Sequence, residues 1–476
     1  MSTTVVTPQS HCRVGFVQAD MTPPVGIYHR MWGAALHDRA TGVHRPLIAT
    51  AMLLESLGGS ERLLVLGLDH CILDRSEIDA IERRIADKHA TRVVVALTHT
   101  HGSGWMSRTR SGLPGGDLIG PYLDSLADTC ARLADEALTK ACQATIVYQR
   151  GRCDLARHRD YYDAADQRYV CGFNPEGQAD DTLLVAKVIA TDSGRTLGTV
   201  VNYACHPTTL AWENTLISPD YVGAMREVVE AEFQAPCLFV QGASGDLGPQ
   251  EGFVGEVAVA DRNGRRLGFA AAAALLAAPP PGSEFRYTGS VVSGAILGVW
   301  KHMPVEPAEK ERWQFREFVV PLAYRPELPT VAATEAELAK WQQEESHARA
   351  ANDLARVSEC RARAEQMTRQ LARLAAMPAG DTYPYTMQLL RVGDAVWLFC
   401  PGELYQVFQT TLRARFPNVA IMIATVCNDW QPGYLPAASA YGHGIYQDVI
   451  AAVAPCSLET VIDATMQAID TLLNET

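Results

Sequence analysis

The chain has 476 residues, of which 47% are hydrophobic and 20% charged, enough apolar material for one large or two ordinary domains. A formal net charge of -13 argues against nucleic acid as a partner, because phosphate binding needs a basic surface, and disfavours docking to anionic membranes. The opening MSTTVVTPQSHCR has neither a basic leader nor an apolar core, no apolar run reaches bilayer length, and the twelve cysteines form no Cys-x-x-Cys, so the expectation is a cytoplasmic protein with buried free thiols and no transmembrane segment.

Taken in chain order, RLLVLGLD (62–69) reads as a buried strand and SEIDAIERRIADKHA as the helix after it. RVVVALT (92–98) is a second strand, followed by a helix over PYLDSLADTCARLADEALTKA with Pro121 near its start, where a missing N–H costs nothing. Strands are expected at 182–190, 197–204 and 235–242, with helices over PDYVGAMREVVEAEF and RNGRRLGFAAAAALLAA. APPPGSEF marks a loop, and the AILGVWKHMP stretch offers Trp300 and Met303 for core packing or for lining a pocket.

From 334 to 377 the composition turns to Ala, Glu, Gln and Arg, which predicts a long helix or helical hairpin, solvated and resting on the sheet. Residues 388–402 read as a hairpin turning at Gly393-Asp394, and 418–426 as a last strand. Several strands are apolar throughout, as strands covered on both faces are. The alternation predicts an α/β fold, with a mixed β-sheet core covered by helices and a helical insertion near 334–377. Because the sheet resumes after the insertion, a single domain over 1–476 is expected.

Five of these strands stop at a polar group of catalytic type. The run 92–98 ends in His99 and His101, 197–204 in His206, 235–242 in ASGDLGPQ, the hairpin in Glu403, and 418–426 in NDWQPGYLP. Ligands in open α/β sheets bind beyond the carboxyl ends of strands, so neighbouring strands would gather these groups at one cavity mouth. Side chains two apart on a strand point the same way, which would turn His99 and His101 together. His99, His206 and Glu403 supply the two imidazoles and one carboxylate that suit a zinc ion with an open position. A lone His-x-His is a weak signal, since a histidine hydrogen-bonded at a strand end gives the same pattern.

These motifs, in this order, resemble the neutral/alkaline non-lysosomal ceramidase family. RVGFVQADMTPPVG is similar to its opening segment, THTH to its histidine motif, and NYACHPTTLAWENTLISPDYVG to its second histidine block. GASGDLGP, PGELYQ and GYLP resemble its aspartate loop, glutamate block and tyrosine block. The resemblance implies one zinc ion per chain, held by His99, His206, Glu403 and Tyr434. It implies that His101 stands beside the metal, and that Tyr446 and Arg159 face the reacting carbonyl. Gly248 stands where the family has a serine, and the family's C-terminal immunoglobulin-like domain is expected to be missing. Both departures weaken ceramide as the substrate.

The expectation is therefore zinc-dependent hydrolysis of an amide (N-acyl) bond in a small or lipid-like substrate, with His101 exchanging protons. Three alternatives stand beside it. An ester or lactone hydrolase would use the same zinc site. A serine hydrolase would use Ser244, although QGASGD is not Gly-x-Ser-x-Gly. A non-catalytic binding protein would keep only the fold. Asp220 is expected to cap the helix that follows it, and Asp246 to accept hydrogen bonds within its loop.

Overall fold

The structure is a computed structural model that describes residues 3–305 and 310–475. Its centre is an eight-stranded mixed sheet. The strands are β1 (Gln9–Asp20), β2 (Ile48–Glu55), β3 (Arg62–Leu68), β4 (Arg92–Leu97), β5 (Cys142–Arg152), β6 (Thr182–Ala190), β7 (Thr196–Tyr203) and β8 (Cys237–Gln241). They lie in the order β8-β7-β6-β5-β1-β2-β3-β4. The terminal pairs β7–β8 and β3–β4 are parallel, and the pairs between them are antiparallel. Next, β9 (Ser283–Ser293) and β10 (Ala295–Pro304) form a hairpin. A second sheet, β11 (Trp313–Ala323), β12 (Thr382–Val392), β13 (Ala395–Cys400) and β14 (Ala420–Thr425), is ordered β11-β12-β13-β14. The turn between β12 and β13 falls at Gly393-Asp394 as expected.

The two sheets face each other. Val14, Met52, Val65, Val94 and Val200 from the first pack with Trp397, Phe399, Met422 and Ala424 from the second. Helices α1 (Arg75–Ala86) and α2 (Ile119–Lys140) cover one half of the first sheet's outer face. Helices α3 (Tyr221–Phe233) and α4 (Val257–Leu276) cover the other half. The outer face of the second sheet is covered in part by α7 (Val407–Arg415) and α9 (Ser457–Asn474), which enter the chain after the insertion helices α5 (Val331–Ala350) and α6 (Leu354–Ala376). The short α8 (Tyr446–Ile450) lies between α7 and α9.

Three expectations need correction. The strands that end in candidate site residues are not all neighbours: β7 pairs with β8 and β13 with β14, but β4 lies at the far edge of the large sheet from β7 and β8. They meet because the sheet curls. A Cβ added to Gly67 on β3 would fall 2.3 Å from the Leu238 side chain on β8, so the bare glycine lets the far edge approach. Strand β14 fits beside β4, bridged at Ala96 and Cys427. The second correction concerns Trp300 and Met303, which line neither core nor pocket. They sit on the β9–β10 hairpin at 37% and 39% exposure, with Val292 and Ile296 at its tip more exposed still.

The insertion is a helical hairpin, as the composition indicates. It does not rest on a sheet. Helix α6 lies over the 28–38 and 105–110 loops. Glu365 pairs with Arg110 through two hydrogen bonds of 2.8 and 3.1 Å, Arg361 pairs with Asp38, and Ala362 packs on Gly33. Those loops are the mouth of the candidate site.

Candidate active site

His99 follows β4, but the chain leaves the sheet at Thr98, and His99 takes a left-handed φ of 66°. His101 then opens a 3-10 turn. The shared orientation of the two imidazoles therefore comes from this turn and not from strand alternation. Their ring centroids are 5.1 Å apart. His206 arrives from the end of β7, and its ring centroid lies 4.6 Å from that of His99.

Glu403 and Tyr434 come from the loops after β13 and β14, where Glu403–Leu404 and Tyr434–Leu435 form a short parallel bridge with Glu403 opposite Tyr434. The loop after β8 supports this bridge. Gly245 N–H donates to the Leu404 carbonyl at 2.8 Å, and a Cβ at Gly245 would lie 2.8 Å from the Glu403 carbonyl oxygen.

Three atoms form a small triangle. His99 Nε2 is 3.1 Å from His206 Nε2 and 3.3 Å from Glu403 Oε2, and His206 Nε2 is 3.4 Å from the same oxygen. Both histidines are held from behind. His99 Nδ1 lies 2.7 Å from the Cys71 carbonyl, and His206 Nδ1 lies 3.2 Å from the Ser244 carbonyl. A carbonyl only accepts, so each Nδ1 donates, and a ring that is neutral then has its Nε2 lone pair aimed at the centre. Glu403 Oε2 is buried and has no hydrogen-bond partner.

Two ring nitrogens and a carboxylate oxygen facing one point call for a positive charge there, a proton on one ring or a cation held between them. Burial pulls His99 toward neutrality, but the Cys71 thiol and the Glu403 carboxylate outweigh it and hold its pKa well above the ordinary value. The same field favours a cation. A tetrahedral zinc with bonds of about 2.0–2.1 Å would set its ligand atoms ~3.3 Å apart, which the triangle matches. Cys71, His99 and His101 form another close group, but His99 Nδ1 on that side is already bonded to the Cys71 carbonyl.

Tyr434 is 5% exposed, and its hydroxyl accepts from Arg159 Nη2 at 2.9 Å and meets the Glu403 carboxyl. Burial raises its pKa well above the usual phenol value, against the pull of Arg159. Arg159 follows the short strand Ala156–His158, which pairs with Leu247–Pro249. Its Nη2 also donates to the Gly245 carbonyl at 2.6 Å. Arg159 is thus a brace for Tyr434 and the Gly245 loop. Tyr446, on the first turn of α8, stands edge-on to Tyr434 with centroids 5.9 Å apart and is half exposed at the cavity rim. His101 Nε2 is buried without a partner. Burial, then His99 and Arg369, push its pKa well down, so the ring is neutral near pH 7.

The triangle opens into a cavity of about 440 Å³, in the range of small-molecule sites. His101, Arg159, His206, Tyr434 and Tyr446 line it. So do residues that the sequence reading did not select: Met31, Trp32, Trp212 and Phe253, and from α6 Arg369 and Arg373. Trp32 stands between His101, at 5.0 Å, and Phe253, at 5.6 Å. The signal for α6 was present. Arg361, Glu365, Arg369 and Arg373 recur every fourth residue along one helix, a pattern that solvated helices share.

Other candidates take structural roles. Asp220 accepts from Tyr221 N–H and Leu210 N–H, capping α3 as expected. Asp246 accepts two hydrogen bonds from Gln406. Ser244 Oγ is bonded to Gln241 Nε2 at 2.6 Å, while His206 bonds its carbonyl and not its hydroxyl, so no base addresses it as a nucleophile.

A profile described as "Neutral/alkaline non-lysosomal ceramidase, N-terminal" matches residues 12–259, just over half of the chain. The chain belongs to the neutral/alkaline non-lysosomal ceramidase family. Two solved structures share the fold of this ceramidase-family chain. One is a crystal structure of neutral ceramidase from Pseudomonas aeruginosa, with a TM-score of 0.65 at 16% identity, covering 97% of this chain and 74% of that one. The other is a ceramidase complexed with C2, with a TM-score of 0.64, again at 16% identity and with the same coverage. No curated protein matches the sequence. Membership of this family makes the chain a ceramidase-like amide-bond hydrolase. Among its described residues, no helix is long and apolar enough to cross a membrane.

Proposed function

We propose that the protein is a single-domain, zinc-dependent hydrolase of N-acyl amides, with one ion held by His99, His206, Glu403 and Tyr434. The observation that carries this reading is the triangle of Nε2, Nε2 and Oε2 atoms, with both imidazoles fixed through Nδ1 and Glu403 Oε2 otherwise unpartnered. Zinc, when bound, supplies a water of pKa about 7 and polarises the amide carbonyl.

The chain's own residues do the rest. His101 is neutral, with its Nε2 buried and free beside the triangle. It takes a proton from the attacking water and gives one to the leaving amine as the C–N bond breaks and the C–O bond forms. Arg159 holds the Tyr434 hydroxyl in register with Glu403. Tyr446, at the rim, is placed to donate to the developing oxyanion. Trp32, Trp212 and Phe253 give the acyl group an apolar wall and help to keep water out.

All twelve cysteines are free, which supports a reducing, cytoplasmic location. The test is metal analysis of purified protein combined with a hydrolysis screen on N-acyl amides and matched esters. Stoichiometric zinc and chelator-sensitive amide cleavage are expected. Full activity in metal-free protein would overturn the reading. Ester cleavage alone would replace the amidase with an esterase on the same site.

A further inference from the structure

Helix α6 brings a buried charge to the cavity that the hydrolytic machinery does not use. Arg373 is 7% exposed, lines the main cavity, and also lines the recess of about 60 Å³ next to His99 and Glu403. Among the described residues, its hydrogen-bond partner is the Gln370 side-chain oxygen, 2.5 Å from Nη2. Its Nε is buried without a partner, and it pairs with no carboxylate among the described residues. Buried guanidinium groups are rare unless paired, so this one calls for an explanation.

The neighbouring charges sharpen the point. Among the cavity-lining residues the arginines are Arg159, Arg369 and Arg373, and the acid is Glu365. Glu365 is already bound twice by Arg110 and once by Arg369, at 2.8 Å. Arg159 spends its Nη2 on the Tyr434 hydroxyl and the Gly245 carbonyl. Glu403 faces the recess but is engaged at the triangle with His99 and His206. The wall therefore carries excess positive charge inside a chain of net charge -13. A neutral lipid amide would leave that charge buried and unanswered. A carboxylate would satisfy it with charge-assisted hydrogen bonds.

The cavity is also two-sided. Trp32, Trp212 and Phe253 form one wall, with Trp212 and Phe253 stacked 6.5 Å apart. Arg373 stands with Tyr446 and Ile450, which line both the cavity and the recess. We infer that the substrate is a compact N-acyl amino acid, its acyl group against the aromatic wall and its carboxylate on Arg373. This rests on the amide-hydrolase reading only for the word substrate, because the anion site itself needs no chemistry.

The test is binding, measured by calorimetry with N-hexanoylglycine and its neutral isostere N-hexanoylglycinamide. Metal-stripped protein is used beside zinc-loaded protein, so that a carboxylate on the metal is distinguished from one on Arg373. In both forms the acid is expected to bind about ten- to a hundredfold tighter than the amide, as a charge-assisted pair provides. Arg373→Gln should bring the two within about twofold, and Arg373→Lys should restore part of the difference. Unchanged thermal melting checks that the variants fold. Should Arg373→Gln not fold, the acid–amide ratio in wild type and in Arg373→Lys still decides.

Equal affinities in wild type, a ratio untouched by Arg373→Gln, preference confined to the zinc-loaded form, or no binding of the acid at millimolar concentration would each overturn the inference. Tight, Arg373-dependent binding without hydrolysis would keep the anion site and remove the amidase reading. Hydrolysis of both compounds without preference would do the reverse.

Discussion

Glu403 and Tyr434 stand directly opposite each other in a two-residue parallel bridge, so one backbone register places a carboxylate and a phenol at the same point. The two histidines follow β4, at one edge of the large sheet, and β7, next to the other edge. In His206→Ala and Glu403→Gln, zinc content should fall from one per chain to near zero. Turnover should drop by at least about a hundredfold, more than the loss of an outer-shell contact causes. Elemental analysis and initial rates on the same preparations check this. Either variant with full zinc and full rate would remove that residue from the ligand set.

Gly245 tests the bridge without touching a ligand. An alanine there would push its Cβ to 2.8 Å from the Glu403 carbonyl oxygen and 2.9 Å from that of Leu404. Backbone cannot yield as a flexible side chain can, so the Glu403 strand must shift. Gly245→Ala is expected to weaken zinc binding about tenfold or more, as read by competition with a chelator, while far-UV circular dichroism stays unchanged.

Much of this arrangement was legible in the sequence. The apolar runs at β3, β4, β6, β7, β8, β13 and β14 declared themselves, and so did the polar residues at their ends. The pairing was not legible, because periodicity fixes faces and not partners. Nothing in the local pattern says that the sheet curls until Leu238 rests on Gly67. The shared direction of His99 and His101 was expected for the wrong reason, since the left-handed turn at His99 depends on contacts beyond the strand. The cavity roof was missed because an Arg- and Glu-rich helix looks solvated until its partners are known. Arg110 and Asp38, which hold it, lie far away in the chain.

His101 should separate chemistry from metal binding. Its Nε2 has no hydrogen-bond partner, and it lies beside the triangle without belonging to it. His101→Gln is expected to keep zinc within about twofold of wild type and to lower kcat by about 10²- to 10⁴-fold, the usual contribution of a positioned acid–base. A variant with normal kcat and a raised KM would make His101 a substrate contact.

The roof depends on a buried ion pair. Arg110 is 5% exposed and Glu365 7% exposed, with the Arg110 guanidinium over the Trp105 ring at 4.3 Å. Glu365→Ala leaves a buried guanidinium without its carboxylate, at a cost of about 3–5 kcal/mol. Denaturant unfolding should register that loss, and hydrogen exchange should quicken along α6 before the sheets. Glu365→Ala as stable as wild type would mean that the helix is held by its other contacts alone, among them Arg361 with Asp38.

Acid sensitivity follows from two buried histidines outside the triangle. His29 bonds the Gly102 carbonyl and His37, and burial lowers its pKa from 6.5 to about 4. His70 bonds the Tyr122 hydroxyl at 2.7 Å, and burial lowers it to about 3. Both bind protons more tightly in the unfolded chain. Their stabilising effect is therefore complete above about pH 6.5 and is lost as pH falls, toward pH 4 for His29 and pH 3 for His70. Each adds a slope of about 1.4 kcal/mol per pH unit across its window. His70→Gln removes one titrating group while leaving a hydrogen-bonding partner for Tyr122. Between pH 6 and pH 4 its stability should fall less steeply than that of wild type by about that slope. Identical slopes in the two proteins would show that His70 is not held neutral in the folded chain.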